Sequence, residues 1–343
     1  MKQFLLLAAL AAVPLTAFAQ TAPDWENQAV FRINKEPAHA TFTPYQSVDS
    51  AATCDPKASE RRICLNGTWK FNVAPNPGSR PLDFYKTDYD VSGWKDIAVP
   101  GNIQTEGFDY PIYVNVSYPF NADPPYVPGG VKSDSYKAGI IDGDQKKAAT
   151  YTDRGNYNPI GSYKRTFTIP ESWSKSQIFV CFDGVGAAAY VWVNGQKVGY
   201  TQDSRTTAEF NITPYVKPGE NEIAVETYRY SDGSYLECQD FWRMSGIFRD
   251  VYVVARTPVY VRDIFAKPTL DANYENGVMT VELDLSNKTA EAHTVNVQAI
   301  LYDSPKANAK LMGKKGENIT VPANGSAKLT LSFPVANPPK WTA

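Results

Sequence analysis

The sequence predicts an all-β protein made of two sandwiches in succession, a jelly-roll-like one and then an immunoglobulin-like one. Three observations carry this. Apolar residues alternate with polar ones at a period of two in segment after segment. Turn signals built on Gly, Asn and Pro recur about every 8 to 12 residues. The 21 Tyr, 16 Phe and 7 Trp among 343 residues are side chains that suit a pleated, half-buried surface. A hydrophobic content of 43% over this length can bury a core in each of two domains.

Residues 1–19 read as an export signal. Lys2 gives the positive start, Phe4 to Val13 the apolar stretch, and Ala17-Phe18-Ala19 a small-x-small cleavage site, which predicts a periplasmic or secreted location. The apolar run is well short of the roughly 20 residues that span a bilayer, and no Cys follows the cleavage site, so no membrane partner is expected. Residues 20–60, polar and Pro-rich with scattered aromatics, are expected to form an extended arm lying on a domain surface.

The jelly-roll-like domain is placed at 61–256. Leu65 to Phe71 opens its first strand. Tyr163, Arg165, Phe167 and Ile169 alternate with Ser162, Lys164, Thr166 and Thr168, the period of a strand with one face buried. Ile178 to Phe182 is apolar on both faces and reads as a central strand. Asn194-Gly195 between Tyr190–Val193 and Gln196–Tyr200 predicts a hairpin with a type I′ turn, because both central residues need positive φ. Trp69 and Trp192 are read as core. Residues 128–157, rich in Gly, Asp, Lys and Ser without periodicity, read as a long surface loop inserted in this domain.

Pro258 marks the boundary to the immunoglobulin-like domain, placed at 257–343. Met279, Val281, Leu283 and Leu285 alternate with polar neighbours, and 295–302 and 327–335 repeat the period. These are too few strands for the roughly seven of such a sandwich, so the second domain is expected to be truncated.

With 34 basic against 36 acidic residues and a net charge of -2, no Lys/Arg cluster can follow a phosphate backbone, so nucleic acid is not an expected partner. Four cysteines suit an oxidising compartment. Cys54 and Cys64 flank a short polar loop and are the candidate disulfide. Their spacing resembles no zinc site, and only His39 and His293 are at hand to help. No nucleophile-and-base arrangement or phosphate loop stands out. Carboxylate pairs of the kind used in glycoside hydrolysis are too abundant among 36 acidic residues to single one out.

Three stretches add more. Pro111-Ile112-Tyr113-Val114-Asn115-Val116-Ser117-Tyr118-Pro119, Val198-Gly199-Tyr200-Thr201-Gln202-Asp203-Ser204-Arg205, and Tyr235 through Asp240 with Phe241-Trp242-Arg243-Met244-Ser245-Gly246-Ile247-Phe248-Arg249-Asp250-Val251 closely resemble, in content, order and separation, the large bacterial β-galactosidases of glycoside hydrolase family 2. The resemblance runs from about Trp25 to the end.

It implies a sugar-binding jelly roll, an immunoglobulin-like domain and then a (β/α)₈ catalytic barrel, which is absent here. Both catalytic Glu residues of the family sit on that barrel, so no catalytic residue is assigned and the chain is expected to be inactive alone, the front part of a retaining β-galactosidase. What the resemblance transfers is the edge of the substrate site. Asn115 matches an Asn that hydrogen-bonds galactosyl hydroxyls, and Asp203 an Asp that binds the sugar and helps hold Na⁺. An amide offers donors and acceptors to a hydroxyl pair, and a carboxylate suits hydroxyl donors and a hard cation. Without the resemblance, Asn115 reads as a turn residue and Asp203 as an Asx-type loop cap.

Trp242 and Arg243 are read as supporting a loop or interface, since an Arg among aromatics more often fixes structure than binds a ligand. The resemblance implies Na⁺ and Mg²⁺ for the complete enzyme, none for the isolated chain, and a homo-oligomer as the complete assembly. Two other readings stay open: a stand-alone exported lectin-like module, and, within the family, a β-glucuronidase or β-mannosidase.

Overall fold

A computed structural model describes residues 22–115, 118–120, 122–132, 156–305 and 309–341; the export signal and 133–155 of the expected loop lie outside them. In chain order the strands are β1 (Arg32–Ile33), β2 (Arg62–Cys64), β3 (Gly67–Ala74), β4 (Lys95–Val99), β5 (Ile112–Val114), β6 (Ile160–Ile169), β7 (Gln177–Phe182), β8 (Val185–Gly186), β9 (Ala188–Val193) and β10 (Gln196–Gln202). They continue as β11 (Ala208–Asn211), β12 (Gly219–Tyr228), β13 (Phe241–Arg243), β14 (Gly246–Ile247), β15 (Val251–Arg256), β16 (Val259–Leu270), β17 (Gly277–Asn287), β18 (His293–Tyr302), β19 (Leu311–Val321) and β20 (Ser326–Val335). Among the described residues two short α-helices, α1 (Val48–Ala52) and α2 (Ser234–Glu237), interrupt them. Among the described residues, no helix is long and apolar enough to cross a membrane.

The first sandwich packs a seven-stranded sheet, ordered β1-β10-β9-β12-β6-β3-β4, on a four-stranded sheet, ordered β11-β7-β15-β2. Between them lies a core that includes Trp69, Phe71, Tyr163, Phe182, Val191, Val225 and Val253. The predicted central strand is β7, buried from Ile178 to Phe182. The predicted hairpin joins β9 to β10, with φ of 49° at Asn194 and 77° at Gly195, as a type I′ turn requires. Trp192, read as core, is only half-buried and stacks on Tyr85 at 5.3 Å.

Two expectations change here. In β6, Tyr163, Phe167 and Ile169 are buried as predicted, but Ser162 and Lys164 are buried too. The reason is a second core on the outer face of the seven-stranded sheet, built from Trp25, Phe120, Tyr190, Tyr200, Tyr228 and Tyr230. Burying Lys164 requires partners for its ammonium, and it donates to the Lys86 carbonyl at 2.6 Å and pairs with Glu222 at 3.1 Å. The arm is likewise more than a surface strap. Trp25 is buried and stacked on Tyr228 at 5.3 Å, and β1 extends the large sheet by pairing with β10.

The Cys54–Cys64 bridge is not formed; both thiols are free and exposed. Cys64 is held on β2 opposite Tyr252, whereas Cys54 sits in an exposed turn just beyond α1 with φ of 51°, so separate elements fix the two side chains.

The second domain begins at β16, immediately after Pro258. Its described residues form a three-stranded sheet, β16-β17-β20, facing a two-stranded one, β18-β19, around Val281, Leu283, Leu285, Leu329, Leu331 and Phe333. The arm touches it directly: the Ala40 amide donates to Asp263 at 2.8 Å and Arg262 donates to the Pro37 carbonyl at 2.7 Å.

Candidate functional site

Asp203 stands at the point where β10 gives out. The strand pairs with β9, through a bulge between Lys197 and Gly199, as far as Gln202 opposite Ala188, and the chain then turns through Asp203 with φ of 75°, a conformation open to Asp because its short polar side chain can bond locally. The bond is made: the Thr206 hydroxyl donates to the Asp203 carboxylate. Asp203 is exposed. Its neighbour Ser204 is buried and donates through its amide to Glu237 at 2.7 Å and through its hydroxyl at 2.6 Å. Burial raises the Glu237 carboxyl above its usual value, and the Ser204 bonds oppose that rise. Beside this turn, burial lowers the pKa of Lys35 while Asp203 pulls it back up.

Asn115 occupies the corresponding place on another strand. β5 pairs with β13 so that Phe241 faces Val114, Trp242 faces Tyr113 and Arg243 faces Ile112; Asn115 follows as an exposed bend. The ribbon's outer surface carries Trp242, 51% exposed, and Tyr113, 45% exposed, with ring centroids 5.7 Å apart and the Tyr113 hydroxyl donating to Asp240 at 2.5 Å. Arg243 lies on the inner side. It is buried and donates to the Gln239 and Phe241 carbonyls, which fixes the segment between α2 and β13. Trp242 beside it projects outward.

Beneath the ribbon lies a pair that the sequence reading did not single out. Arg229 and Asp109 are fully shielded from solvent and 2.6 Å apart. Arg229 also donates to the Tyr110 carbonyl at 3.1 Å and the Arg243 carbonyl at 2.9 Å, so one guanidinium ties the end of β13 to the segment leading into β5. Asp109 further accepts from Gln104 at 2.8 Å and from the Tyr157 hydroxyl at 2.5 Å. The Tyr157 hydroxyl is pushed above its ordinary range by burial and by this carboxylate.

Asn115 and Asp203 therefore flank one segment, α2 to β13. A cavity of about 40 Å³ beside it is lined by Ser204, Arg205, Glu237, Cys238, Phe241 and Trp242, room for about one water molecule and not for a sugar ring. The arrangement is an open rim. A larger cavity of about 390 Å³ lies under the arm at His39, Glu209 and Arg256, and one of about 570 Å³ in the second domain at Tyr274, Met279 and Trp341; neither includes Asn115 or Asp203. Among the described residues no three His, Cys, Asp or Glu side chains gather as a metal site. Asp203 offers a cation a single carboxylate, one oxygen of which already accepts the Thr206 hydroxyl, so these residues do not by themselves make the expected Na⁺ site.

The sequence matches two family models, "Glycosyl hydrolases family 2, sugar binding domain" over residues 63–152 and 127–258, and "Glycosyl hydrolases family 2" over residues 259–343. It is 38% identical over 334 residues to a β-galactosidase of Priestia megaterium, covering 96% of this chain and 30% of that protein. A β-galactosidase of Halalkalibacterium halodurans is 38% identical over 314 residues, covering 92% of this chain and 28% of its own length. The chain thus spans less than a third of these curated relatives. Among solved structures, a calcium-binding mutant of β-glucuronidase 2 from Bacteroides uniformis superposes with a TM-score of 0.58 at 20% identity, over 82% of this chain and 29% of that one. An exo-chitosanase of Amycolatopsis orientalis gives 0.52 at 18%, over 81% and 29%. At such identities the likeness is one of fold.

Proposed function

Because this chain belongs to glycoside hydrolase family 2, we propose that it is the exported sugar-binding part of a β-galactosidase, holding the terminal non-reducing β-galactosyl ring at one edge of the active site. The observation that carries this reading is the 38% identity to a β-galactosidase along 96% of the chain, joined to the placement of Asn115 and Asp203 as exposed polar groups on either side of one braced segment. The Asn115 amide can donate to one hydroxyl and accept from its neighbour, and the Asp203 carboxylate accepts from hydroxyls. Holding the ring this way lowers the entropic cost of presenting the glycosidic bond to two carboxylates about 5 to 5.5 Å apart, the spacing of a retaining enzyme. We place those carboxylates, the remaining ligands of a Na⁺ site shared with Asp203, a Mg²⁺ site and homo-oligomerisation in the complete enzyme, and assign none of the bond cleavage to this chain.

Calorimetric titration of the 343-residue chain with methyl β-galactoside, methyl β-glucuronide and methyl β-mannoside tests the reading. The galactoside is expected to bind best, and Asn115→Ala and Asp203→Ala each to weaken it about tenfold, the loss of one good polar contact. Equal binding of the glucuronide or mannoside, or indifference to both substitutions, would overturn it. The chain should show no turnover of a chromogenic galactoside.

A further inference from the structure

We infer that Glu237 is a positioning residue for Asp203, latching the Asp203 turn to the ribbon that carries Asn115 so that the two sugar contacts move as one body. The inference rests on the galactoside reading above. Its geometry is a continuous path. Glu237, the last residue of α2, receives both the amide and the hydroxyl of Ser204 at 2.7 and 2.6 Å. Four residues further on, Phe241 enters β13 opposite Val114, and the intervening turn is locked by Arg243 on the Gln239 and Phe241 carbonyls. Asn115 follows Val114 directly. At the other end, the peptide that Glu237 grips is the one joining Asp203 to Ser204, so the carboxylate's hold on the Ser204 amide sets the orientation of the plane from which the Asp203 side chain departs, at a φ of 75° that few residues adopt unaided.

Ordinary turn chemistry does not require such a latch. The Thr206 hydroxyl already closes the loop on its own residue pair, and an exposed turn seldom buries a carboxylate beneath it. Spending Glu237, whose burial raises its pKa, on both polar groups of one serine is explained if the direction of Asp203 matters. Two bonds to an ionised acceptor are also stronger than two to a neutral one, so the turn is held stiffly.

A double-mutant cycle separates this from a merely structural role. In the 343-residue chain, Glu237→Gln is expected to weaken methyl β-galactoside binding about tenfold, and to cost less than twofold further in an Asp203→Ala background, because its effect passes through Asp203. In an Asn115→Ala background it should still cost several-fold. A structural role predicts the same loss in all three backgrounds, and that result overturns the inference. Ser204→Ala keeps the amide bond and should lose only part of the affinity, with little change in melting temperature. Hydrogen exchange at the Ser204 amide gives an arm that needs no ligand: Glu237→Gln should speed it at least tenfold, and unchanged protection refutes the latch. If the wild-type chain does not bind the galactoside, or Asp203→Ala leaves binding intact, the galactoside reading fails, while exchange still decides whether the latch exists.

Discussion

Asp109→Asn should be among the most damaging single substitutions in the first sandwich. The change is nearly isosteric, so packing is preserved and the effect is electrostatic. It leaves the Arg229 guanidinium, fully shielded, without its only anionic hydrogen-bond partner among the described residues, and it exchanges a carboxylate that accepts from Arg229, Gln104 and Tyr157 for an amide with one accepting oxygen. Breaking a buried pair from one side costs about 3 to 5 kcal/mol because the remaining charge stays uncompensated. For a domain of this size each kcal/mol is worth about 2 to 4 °C, so the melting point of the first sandwich should fall by about 6 to 20 °C. Calorimetric melting of the wild type and variant at pH 7 measures it, with urea titration as a check. Replacing both partners together, Asp109→Leu with Arg229→Met, should recover much of the loss, since no isolated charge is then buried. A fall of under about 2 °C for Asp109→Asn would refute the argument, because it would mean that the site is wet enough to solvate Arg229.

Other consequences follow from separate parts of the molecule. His39, hydrogen-bonded to Glu209 at 3.2 Å, has its pKa raised chiefly by that carboxylate, and Glu209, also paired with Arg256, stays below its usual range despite burial. The stability His39 confers is thus fully present below its unfolded value of about 6.5 and is lost as pH rises through the raised value. His39→Gln should therefore lower the urea midpoint more at pH 5.5 than at pH 9, and equal losses would count against it. A Cβ at Gly130 would lie 1.7 Å from a Glu26 carboxylate oxygen, and that carboxylate accepts the Val127 and Val131 amides at 2.9 and 2.8 Å. Gly130→Ala should cost about 1 to 3 kcal/mol, read by urea unfolding, with faster exchange at those two amides. In native protein Cys54 and Cys64 should alkylate readily, whereas Cys181, buried with its pKa raised, and Cys238, pushed up to about 11, should be slow; peptide mapping that finds 54 and 64 resistant would restore the bridge.

How far the sequence discloses this arrangement depends on how local each feature is. Asn194-Gly195 declares its turn because both residues carry the required backbone freedom in two adjacent letters. The alternation of Tyr163, Phe167 and Ile169 fixes one face of β6, but the burial of Lys164 depends on Lys86 and Glu222, which no period reveals. β16 and β19 escape the pattern because one contains Pro268 and the other reads Gly-Lys-Lys-Gly-Glu-Asn across its middle, compositions that argue against a strand until a neighbour supplies the pairing. Glu237 lies in the Tyr235–Asp240 stretch and its partner Ser204 in the Val198–Arg205 stretch, but nothing in either shows that the two meet. Arg229 and Asp109 are separated by 120 positions, and nothing in either neighbourhood points to the other.

The position of the rim follows from the same packing. The seven-stranded sheet is covered on both faces, by the inter-sheet core on one side and by the Trp25–Tyr230 cluster on the other, so mid-strand side chains such as Tyr200 are consumed by burial. Polar groups free to meet a hydroxylated ligand can arise on this scaffold where a strand ends and the backbone turns outward. Asp203 directly follows the last residue of β10 and Asn115 the last of β5, and each is exposed. Such residues carry little of the fold's stability, and they also lack the sheet to aim them. That is why the buried groups behind them, Glu237 for one and the Arg229–Asp109 pair for the other, are ionised and multiply hydrogen-bonded. Substitutions at the rim should therefore change affinity at nearly constant melting temperature, and substitutions at the Arg229–Asp109 pair should change both.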